Sequence, residues 1–145
     1  GHMILNIYTD ASTLTDQNNA SGIGVVITFD NEIFKTIGQH VGQLKVMDAE
    51  LFAMTVALKE AKEVIDVLEE EQVTLVRIIS DCMSALDIAV GDGEPKNEVT
   101  WMIANKLDEL SMSLDAPVEF QWVKSHNGNH YNEIADGIAY EHAHN

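Results

Sequence analysis

Four acidic residues stand at positions where folding could bring their side chains together. They are Asp10, Glu50, Asp81 and Asp136. A carboxylate turned toward a protein core is costly unless it is paired with a cation, protonated or bound to a metal ion. No Lys or Arg accompanies these four acids to pair with their carboxylates. Convergence of the four would therefore indicate a divalent metal site. Ligation by oxygen alone favours Mg²⁺ or Mn²⁺ over Zn²⁺. Two such ions about 4 Å apart suit in-line cleavage of a phosphodiester, since one activates water and the other stabilises the leaving oxygen.

Each acid also has an ordinary explanation when it is taken singly. Asp10 could hydrogen-bond within a following turn, and Asp81 could be the N-cap of a short helix. Glu50 could be a first-turn acid favoured by the helix dipole, and Asp136 could be a solvated helix residue. The joint placement of the four favours the metal site only if the fold brings them together.

The first third of the chain has the pattern of an antiparallel meander. Strands are predicted over 4–10, 23–29 and 32–41, with a polar loop over 11–22. A tight turn is predicted at Asp30 and Asn31. The first of these strands ends at Asp10, one of the four acids.

Helical periodicity begins after this meander. The predicted elements are a long helix within 48–69, a buried strand over 72–81, helices over 82–90 and about 97–114, a strand over 118–123 and a last helix from about Asn132. In the last helix, Ile134, Ile138 and Ala139 are expected to face inward. The order predicts an α/β fold with a mixed five-stranded sheet, in which a β1-β2-β3 meander precedes parallel crossovers and helices cover both faces. In such sheets, the ligand site lies beyond the carboxyl ends of parallel strands.

Length and charge restrict the class of protein further. The chain has 145 residues, enough for one domain, which we assign to 4–145 because residues 1–3 look like a tag remnant. The formal charge of −16 argues against nonspecific nucleic-acid binding, and its ordinary explanation is a solvated acidic surface. A single cysteine and the lack of a membrane-spanning apolar run favour a cytoplasmic monomer.

Four segments together resemble the type 1 ribonuclease H family. They are "IYTDAS" with Asp10, "MDAELFAMTVAL" with Glu50, "IISDCMSAL" with Asp81, and "WVKSHNGNHYNEIADGIA" with His126, Asn132 and Asp136. The resemblance runs from Ile4 to about Ala143. Its most specific part is the last segment, where Trp-Val-Lys precedes a histidine, a glycine, an asparagine and an aspartate at the family's spacing.

The resemblance implies a ribonuclease H-like fold and hydrolysis of the RNA strand of RNA–DNA hybrids, leaving 3′-hydroxyl and 5′-phosphate ends. It implies that the four acids bind two ions, Mg²⁺ or Mn²⁺. His126 matches a loop histidine that assists proton transfer or product release, although it could be an ordinary solvated residue. Asn132 matches an asparagine that orders the last helix, and Ser12 a small polar residue that approaches the RNA backbone.

The departures from the family pattern concern the grip on substrate. The segment 45–49 replaces an Asn-rich stretch, Met83 replaces a polar residue, and Ala11 replaces a glycine. The segment "GDGEPKNEV" is too short and acidic for the basic protrusion of many bacterial members. Candidate phosphate contacts are Lys45, Lys96, Lys106 and Lys124, each of which could be an ordinary surface lysine. Trp101 is expected to be partly buried, and Trp122 to lie in the sheet without a binding role.

Three hypotheses therefore stand. The first is a Mg²⁺-dependent endoribonuclease acting on RNA–DNA hybrids, and the intact set of acids supports it. The second is an enzyme of the same fold with another substrate, such as a nuclease or a reverse-transcriptase-associated domain. The third is a non-catalytic interaction module, favoured by the acidic surface because a fold alone does not establish a function. Against the third, four convergent acids repel one another without metal.

Overall fold

The computed structural model describes residues 2–68, 72–125 and 128–144. The strands are β1 (His2–Leu14), β2 (Ala20–Phe29), β3 (Glu32–Gln43), β4 (Gln72–Ser80) and β5 (Val118–Trp122). The helices are α1 (Val46–Val67), α2 (Met83–Ala89), α3 (Glu98–Ser113) and α4 (His130–Ala143). The element order and types agree with the sequence prediction, and most boundaries differ by one to three residues. Within the described residues, no helix combines the length and apolarity that crossing a membrane requires.

The five strands form one mixed sheet in the order β3-β2-β1-β4-β5. The pairs β1–β2 and β2–β3 are antiparallel, whereas β4 is parallel to both β1 and β5. The predicted meander with parallel crossovers is therefore confirmed. Tyr8 of β1 is in register with Ile79 of β4, which is two residues before Asp81. Asp10 and Asp81 consequently lie at the same end of two neighbouring parallel strands.

The main core lies between the sheet and α1. Its largest buried side chains include Leu5, Ile7, Leu51, Met54, Leu58 and Ile78. Leu51, Met54 and Leu58 recur at helical spacing, so one face of α1 is apolar and packs on alternate residues of the central strands. Helices α2 and α3 contact α1 on this side of the sheet.

Helix α4 covers the other face of the sheet. Gly22 and Gly24 of β2 lie directly beneath it, and a Cβ atom at Gly24 would overlap the Ala135 carbonyl oxygen. The helix backbone can approach the strand this closely only because neither residue has a side chain. The residues of α4 that are buried are Asn132, Ala135, Ala139 and Ala143. The prediction for Ala139 is confirmed, but Ile134 and Ile138 are only half-buried, because small residues are needed at the contact.

Two predicted boundaries are wrong. The polar segment 11–22 is mostly strand, since β1 continues to Leu14, β2 begins at Ala20, and a single 3₁₀ turn joins them. The polar side chains favoured a loop, but a hydrogen bond of 2.9 Å between the hydroxyls of Thr13 and Ser21 links the two strands there. The first strand also starts earlier than the predicted residue 4, because β1 begins at His2, and Met3 packs against the core.

The tight turn at Asp30 and Asn31 is confirmed. Both residues have positive φ angles, 51° and 59°. Two consecutive residues with positive φ form the type of two-residue turn whose twist matches an antiparallel hairpin. The hydroxyl of Tyr131 donates a hydrogen bond to the Asn31 carbonyl, so this turn also contacts the start of α4.

Candidate active site

Asp10, Glu50 and Asp81 converge at one end of the parallel strands. Each offers a carboxylate oxygen, and these oxygens all lie within 4.8 Å of one another. Asp10 comes from β1, Asp81 from the residue that follows β4, and Glu50 from the first turns of α1. Asp10 is inside β1 and does not end it, but it stands where the parallel pairing with β4 stops. The convergence of these three acids, which the sequence could only suggest, is therefore observed.

Burial and like charge disfavour the ionised forms of these acids. Asp10 is 4% exposed and Glu50 is 5% exposed. Burial first, and then the charge of Asp81 and a hydrogen-bonding contact with Asp136, raise the pKa of Asp10 to about 8. Burial and the neighbouring Asp10 likewise hold the pKa of Glu50 well above its usual value. Neither shift is offset by a cationic side chain from the described part of the chain, so a bound cation would be strongly favoured.

The side chain of Glu50 fits a metal ligand. Its Oε1 atom is buried and has no hydrogen-bond partner within the described part of the chain. A buried oxygen without a partner costs free energy, and coordination of a cation would remove that cost. The donors within 4.8 Å are carboxylate oxygens, the ligands that Mg²⁺ and Mn²⁺ prefer. The arrangement thus fits a hard divalent ion.

Asp136 approaches the cluster from α4. It is half-buried and within hydrogen-bonding reach of Asp10. The helix that carries it begins at His130, two residues earlier than predicted, because the Asn129 side chain is the N-cap and accepts a hydrogen bond of 2.9 Å from the Asn132 amide. Asn132 is 3% exposed, and its Oδ1 atom has no partner among the described residues.

The structure can be compared with the explanation that each acid had without a metal ion, and the outcome differs from one acid to another. Asp81 is not an N-cap, since α2 has Cys82 at that position and no side-chain cap. Asp10 does bond locally, because its Oδ1 accepts a hydrogen bond of 2.9 Å from the Ala11 amide, but this bond leaves the rest of the carboxylate facing the cluster. Glu50 faces the cluster from a buried position, which a solvated first-turn acid would not occupy.

Trp122 has a positioning role that sequence reasoning missed. Its indole N–H donates a hydrogen bond of 3.2 Å to the Asp81 carbonyl oxygen. It lies in β5 as predicted and pairs with Ser80 of β4. The bond fixes the backbone at the residue that carries one of the three carboxylates. The sequence signal for this contact was a Trp at the end of the strand next to β4. The N–H group of a partly buried Trp usually finds a hydrogen-bond acceptor.

The predicted substrate-contacting residues are more dispersed. Ser12 is half-buried on β1 opposite Gly22, and Lys45 is exposed at the N-cap of α1. Lys45 lines a groove of about 450 Å³ between the starts of α1 and α3. Trp101 is 57% exposed, so the expectation that it is partly buried in the core is wrong. His126 lies outside the described residues.

The sequence predicts that the basic protrusion of many bacterial family members is absent between α2 and α3. Residues 90–97 join α2 to α3 without a helix of their own. They include Asp92 and Glu94 and one basic residue, Lys96. The short acidic segment seen in the sequence therefore adds only one exposed basic side chain, Lys96, to this side of the molecule.

Comparison with known proteins identifies the family to which the chain is similar. The family model for RNase H matches residues 2–144. RNase H1 from the halophilic archaeon Halobacterium salinarum is 18% identical with a TM-score of 0.79, and the match covers 96% of each chain. LC11-RNase H1, isolated from compost and solved in complex with an RNA/DNA hybrid, is 22% identical with a TM-score of 0.80 over 94% of each chain. The PFV RNase H domain is 21% identical with a TM-score of 0.72, and the match covers 99% of this chain and 96% of that one. Among curated proteins, no sequence matches.

The structural neighbours share the five-stranded fold, and the family model spans nearly the whole described chain. The three converging carboxylates come from the segments that carry the resemblance in the sequence. The chain therefore belongs to the RNase H family and is a ribonuclease H enzyme.

Proposed function

We propose that this protein is a divalent-metal-dependent endoribonuclease that hydrolyses the RNA strand of RNA–DNA hybrids. The observation that carries the proposal is the cluster of buried Asp10 and Glu50 with half-buried Asp81, whose oxygens lie within 4.8 Å of one another. Family membership supports the reaction class, and the complex of LC11-RNase H1 with an RNA/DNA hybrid supports the substrate. The proposed products carry 5′-phosphate and 3′-hydroxyl ends.

In this proposal, Asp10, Glu50, Asp81 and Asp136 hold two ions, Mg²⁺ or Mn²⁺. When bound, such ions activate water and stabilise the leaving oxygen of a phosphodiester. Asp10 is the central ligand, because it touches both the buried acids and Asp136. Asp136 is half-buried, so it forms the side of the site that opens toward solvent. The protein's contribution is to hold four like charges in a fixed arrangement before substrate arrives.

Three further residues complete the proposed site. Asn132 orders the first turn of α4 and so sets the position of Asp136 one helical turn later. Ser12 approaches the RNA backbone beside Asp10, and Lys45 contacts a phosphate from the start of α1. His126, which precedes α4 in the sequence, assists proton transfer or product release. Of these, the buried position of Asn132 is the best supported, because only 3% of it is exposed.

The acidic surface favours a second candidate, a ribonuclease H-fold protein with another substrate. The connection 90–97 adds only Lys96 to the basic surface, and the whole chain has 24 acidic and 8 basic residues. Such an enzyme would cleave double-stranded RNA or a structured single strand in preference to the hybrid.

The test compares end-labelled RNA–DNA hybrid with double-stranded RNA and double-stranded DNA of the same sequence. Each substrate is incubated at low salt with Mg²⁺ or Mn²⁺, beside the Asp10→Asn variant. We expect cleavage of the RNA strand of the hybrid alone and its loss in the variant. Cleavage of another duplex in preference would support the second candidate. Absence of cleavage by a folded protein that still binds Mn²⁺ would refute the proposed reaction.

A further inference from the structure

Asp48, two residues before Glu50, is buried for a reason outside the metal site. It is 3% exposed and lies in the first turn of α1. Its Oδ1 accepts a hydrogen bond of 2.5 Å from the Thr100 hydroxyl, and Thr100 is fully buried at the start of α3. A buried carboxylate that keeps a single side-chain partner across two helices indicates a specific linkage between them.

Thr100 is itself held in place by the N-cap of α3. The Asn97 side chain accepts a hydrogen bond of 2.9 Å from the Thr100 amide, and its Oδ1 lies 3.0 Å from the Thr100 hydroxyl. The donor to Asp48 is therefore part of an N-capped helix end, which has little freedom to move. Asp48, Thr100 and Asn97 form one connected set of side chains, which we call the α1–α3 latch.

The start of α1 has no side-chain cap of its own. Lys45 is the N-cap residue and makes no capping hydrogen bond. The preceding residue is fixed by Ser21, whose hydroxyl accepts a hydrogen bond of 3.2 Å from the Leu44 amide. The latch adds a side-chain hydrogen bond that restrains the first turn after this point, where uncapped helices otherwise fray.

The latch and the metal site act on opposite sides of the same helical turn. Residues 48 and 50 are separated by roughly 200° around the helix axis. Glu50 faces Asp10 and Asp81, whose charges repel it, while Asp48 is bonded to α3 on the far side. Repulsion on one side can displace the turn only if the bond on the other side breaks.

We propose that Asp48 and Thr100 are positioning residues, whose hydrogen bond holds the first turn of α1 so that Glu50 stays in place to bind metal. The inference rests on the proposed function, because it assumes that Glu50 is a metal ligand. Neither residue touches the metal or the substrate. Their effect is on the geometry of the site, and hence on the affinity for the ion before any substrate is present.

The test is calorimetric titration of Mn²⁺ into the full chain without substrate. Thr100→Val removes the hydroxyl and keeps the shape of the side chain. The matched control is Thr28→Val, since Thr28 is 2% exposed and its hydroxyl donates a hydrogen bond of 2.9 Å to the Asn6 carbonyl, at the end of β1 away from Asp10. We expect both variants to lower the urea midpoint of unfolding, while only Thr100→Val weakens Mn²⁺ binding.

The expected loss of affinity is on the order of tenfold, the lower end of the range for residues that orient metal ligands. Thr100→Ser and Asp48→Asn keep a donor and an acceptor in place, so we expect Mn²⁺ affinity close to that of the wild type. In a cleavage assay, Thr100→Val should raise the Mn²⁺ concentration needed for half-maximal rate and leave the rate at saturating Mn²⁺ nearly unchanged.

Three results separate failure of the inference from failure of the proposed function. Equal Mn²⁺ affinity in the wild type and a folded Thr100→Val variant would overturn the positioning role and leave the metal site intact. The positioning role also fails if Thr28→Val weakens binding as much as Thr100→Val, because the effect would then follow general stability. A wild-type protein that binds no Mn²⁺ would overturn the proposed function itself.

Discussion

Asp10 carries a high electrostatic cost in the folded protein. It is buried, and both Asp81 and Asp136 raise its pKa, which reaches about 8. The same carboxylate that the proposed reaction needs is therefore unfavourable for the folded chain without metal. Residues that serve chemistry at the expense of stability are common at catalytic sites.

The Asp10→Asn substitution should show this cost directly. We expect the variant to lose cleavage activity and to gain about 2 kcal/mol in free energy of unfolding at pH 8 without metal. The reason is that the amide has similar size and carries no charge to repel its neighbours. Urea denaturation in EDTA measures the gain. A variant less stable than the wild type under these conditions would contradict the electrostatic explanation.

The pH dependence of stability follows from the raised pKa of Asp10. An unfolded aspartate has a pKa of about 3.9, so between pH 4 and 8 the folded protein binds more protons at this residue than the unfolded chain does. The contribution of protonated Asp10 to the free energy of unfolding is fully present below pH 4. It is lost as the pH rises through 8, the pKa of Asp10 in the folded protein. We expect metal-free protein to lose stability from pH 5 to 8 more steeply than Asp10→Asn does.

Divalent metal should oppose this loss. A cation bound only by the folded state stabilises it by mass action, and it favours the ionised carboxylates. Thermal melting at pH 8 with and without millimolar Mg²⁺ or Mn²⁺ measures the effect, with Ca²⁺-free EDTA buffer as the reference. An unchanged melting temperature in the presence of either ion would count against a formed metal site.

Among the elements, the contact of α4 with β2 sets the position of Asp136. Gly24 lies beneath the Ala135 carbonyl, one residue before Asp136, and there is no room for a Cβ atom between them. We expect Gly24→Ala to lower the free energy of unfolding by about 3 kcal/mol, because β2 and α4 must move apart to admit the methyl group.

The matched control for this substitution is Gly137→Ala in the same helix. Gly137 is exposed, and an added Cβ there meets no atom within 4 Å. Since alanine favours helix more than glycine does, we expect a gain of about 0.5–1 kcal/mol. Denaturation curves of both variants give the comparison. Equal effects of the two substitutions would show that the close contact is not what limits stability.

At the scale of the whole molecule, the charge of −16 limits how the protein holds an anionic substrate. Of the basic residues, Lys35, Arg77 and Lys106 already lie near acidic partners, Glu60, Glu119 and Glu109. Lys45 is exposed beside the groove at the start of α1. Few cations are therefore placed to contact phosphates, and hybrid binding should be weak.

We expect Lys45→Ala to weaken hybrid binding and to reduce the slope of log affinity against log salt by about 0.9, the value of one phosphate contact. Lys59→Ala is the control, because Lys59 is exposed on the same helix about 21 Å further along. Fluorescence anisotropy of labelled hybrid, measured in Ca²⁺ over a range of NaCl concentrations, gives both slopes. Identical slopes for the two variants would exclude Lys45 as a phosphate contact.

The sequence by itself determined the element order, the meander, and the candidacy of the four acids. These follow from local patterns, since apolar periodicity reports the type of an element and Gly or Asn-rich turns report its ends. The hairpin at Asp30 is one example, because its turn conformation depends on two adjacent residues. The segment 11–22 shows the limit: its polar side chains look like a loop, yet pairing across Thr13 and Ser21 makes it strand.

Only the tertiary structure decided that Asp10, Glu50 and Asp81 meet, because they are far apart in sequence and depend on the parallel pairing of β1 with β4. It also decided that Asp48 bonds to Thr100 and that Trp122 holds the Asp81 backbone. Contacts between distant segments follow from how whole elements pack, and no local pattern records them. The physical reason is that a side chain's surroundings, and so its charge and partners, are set by the fold as a whole.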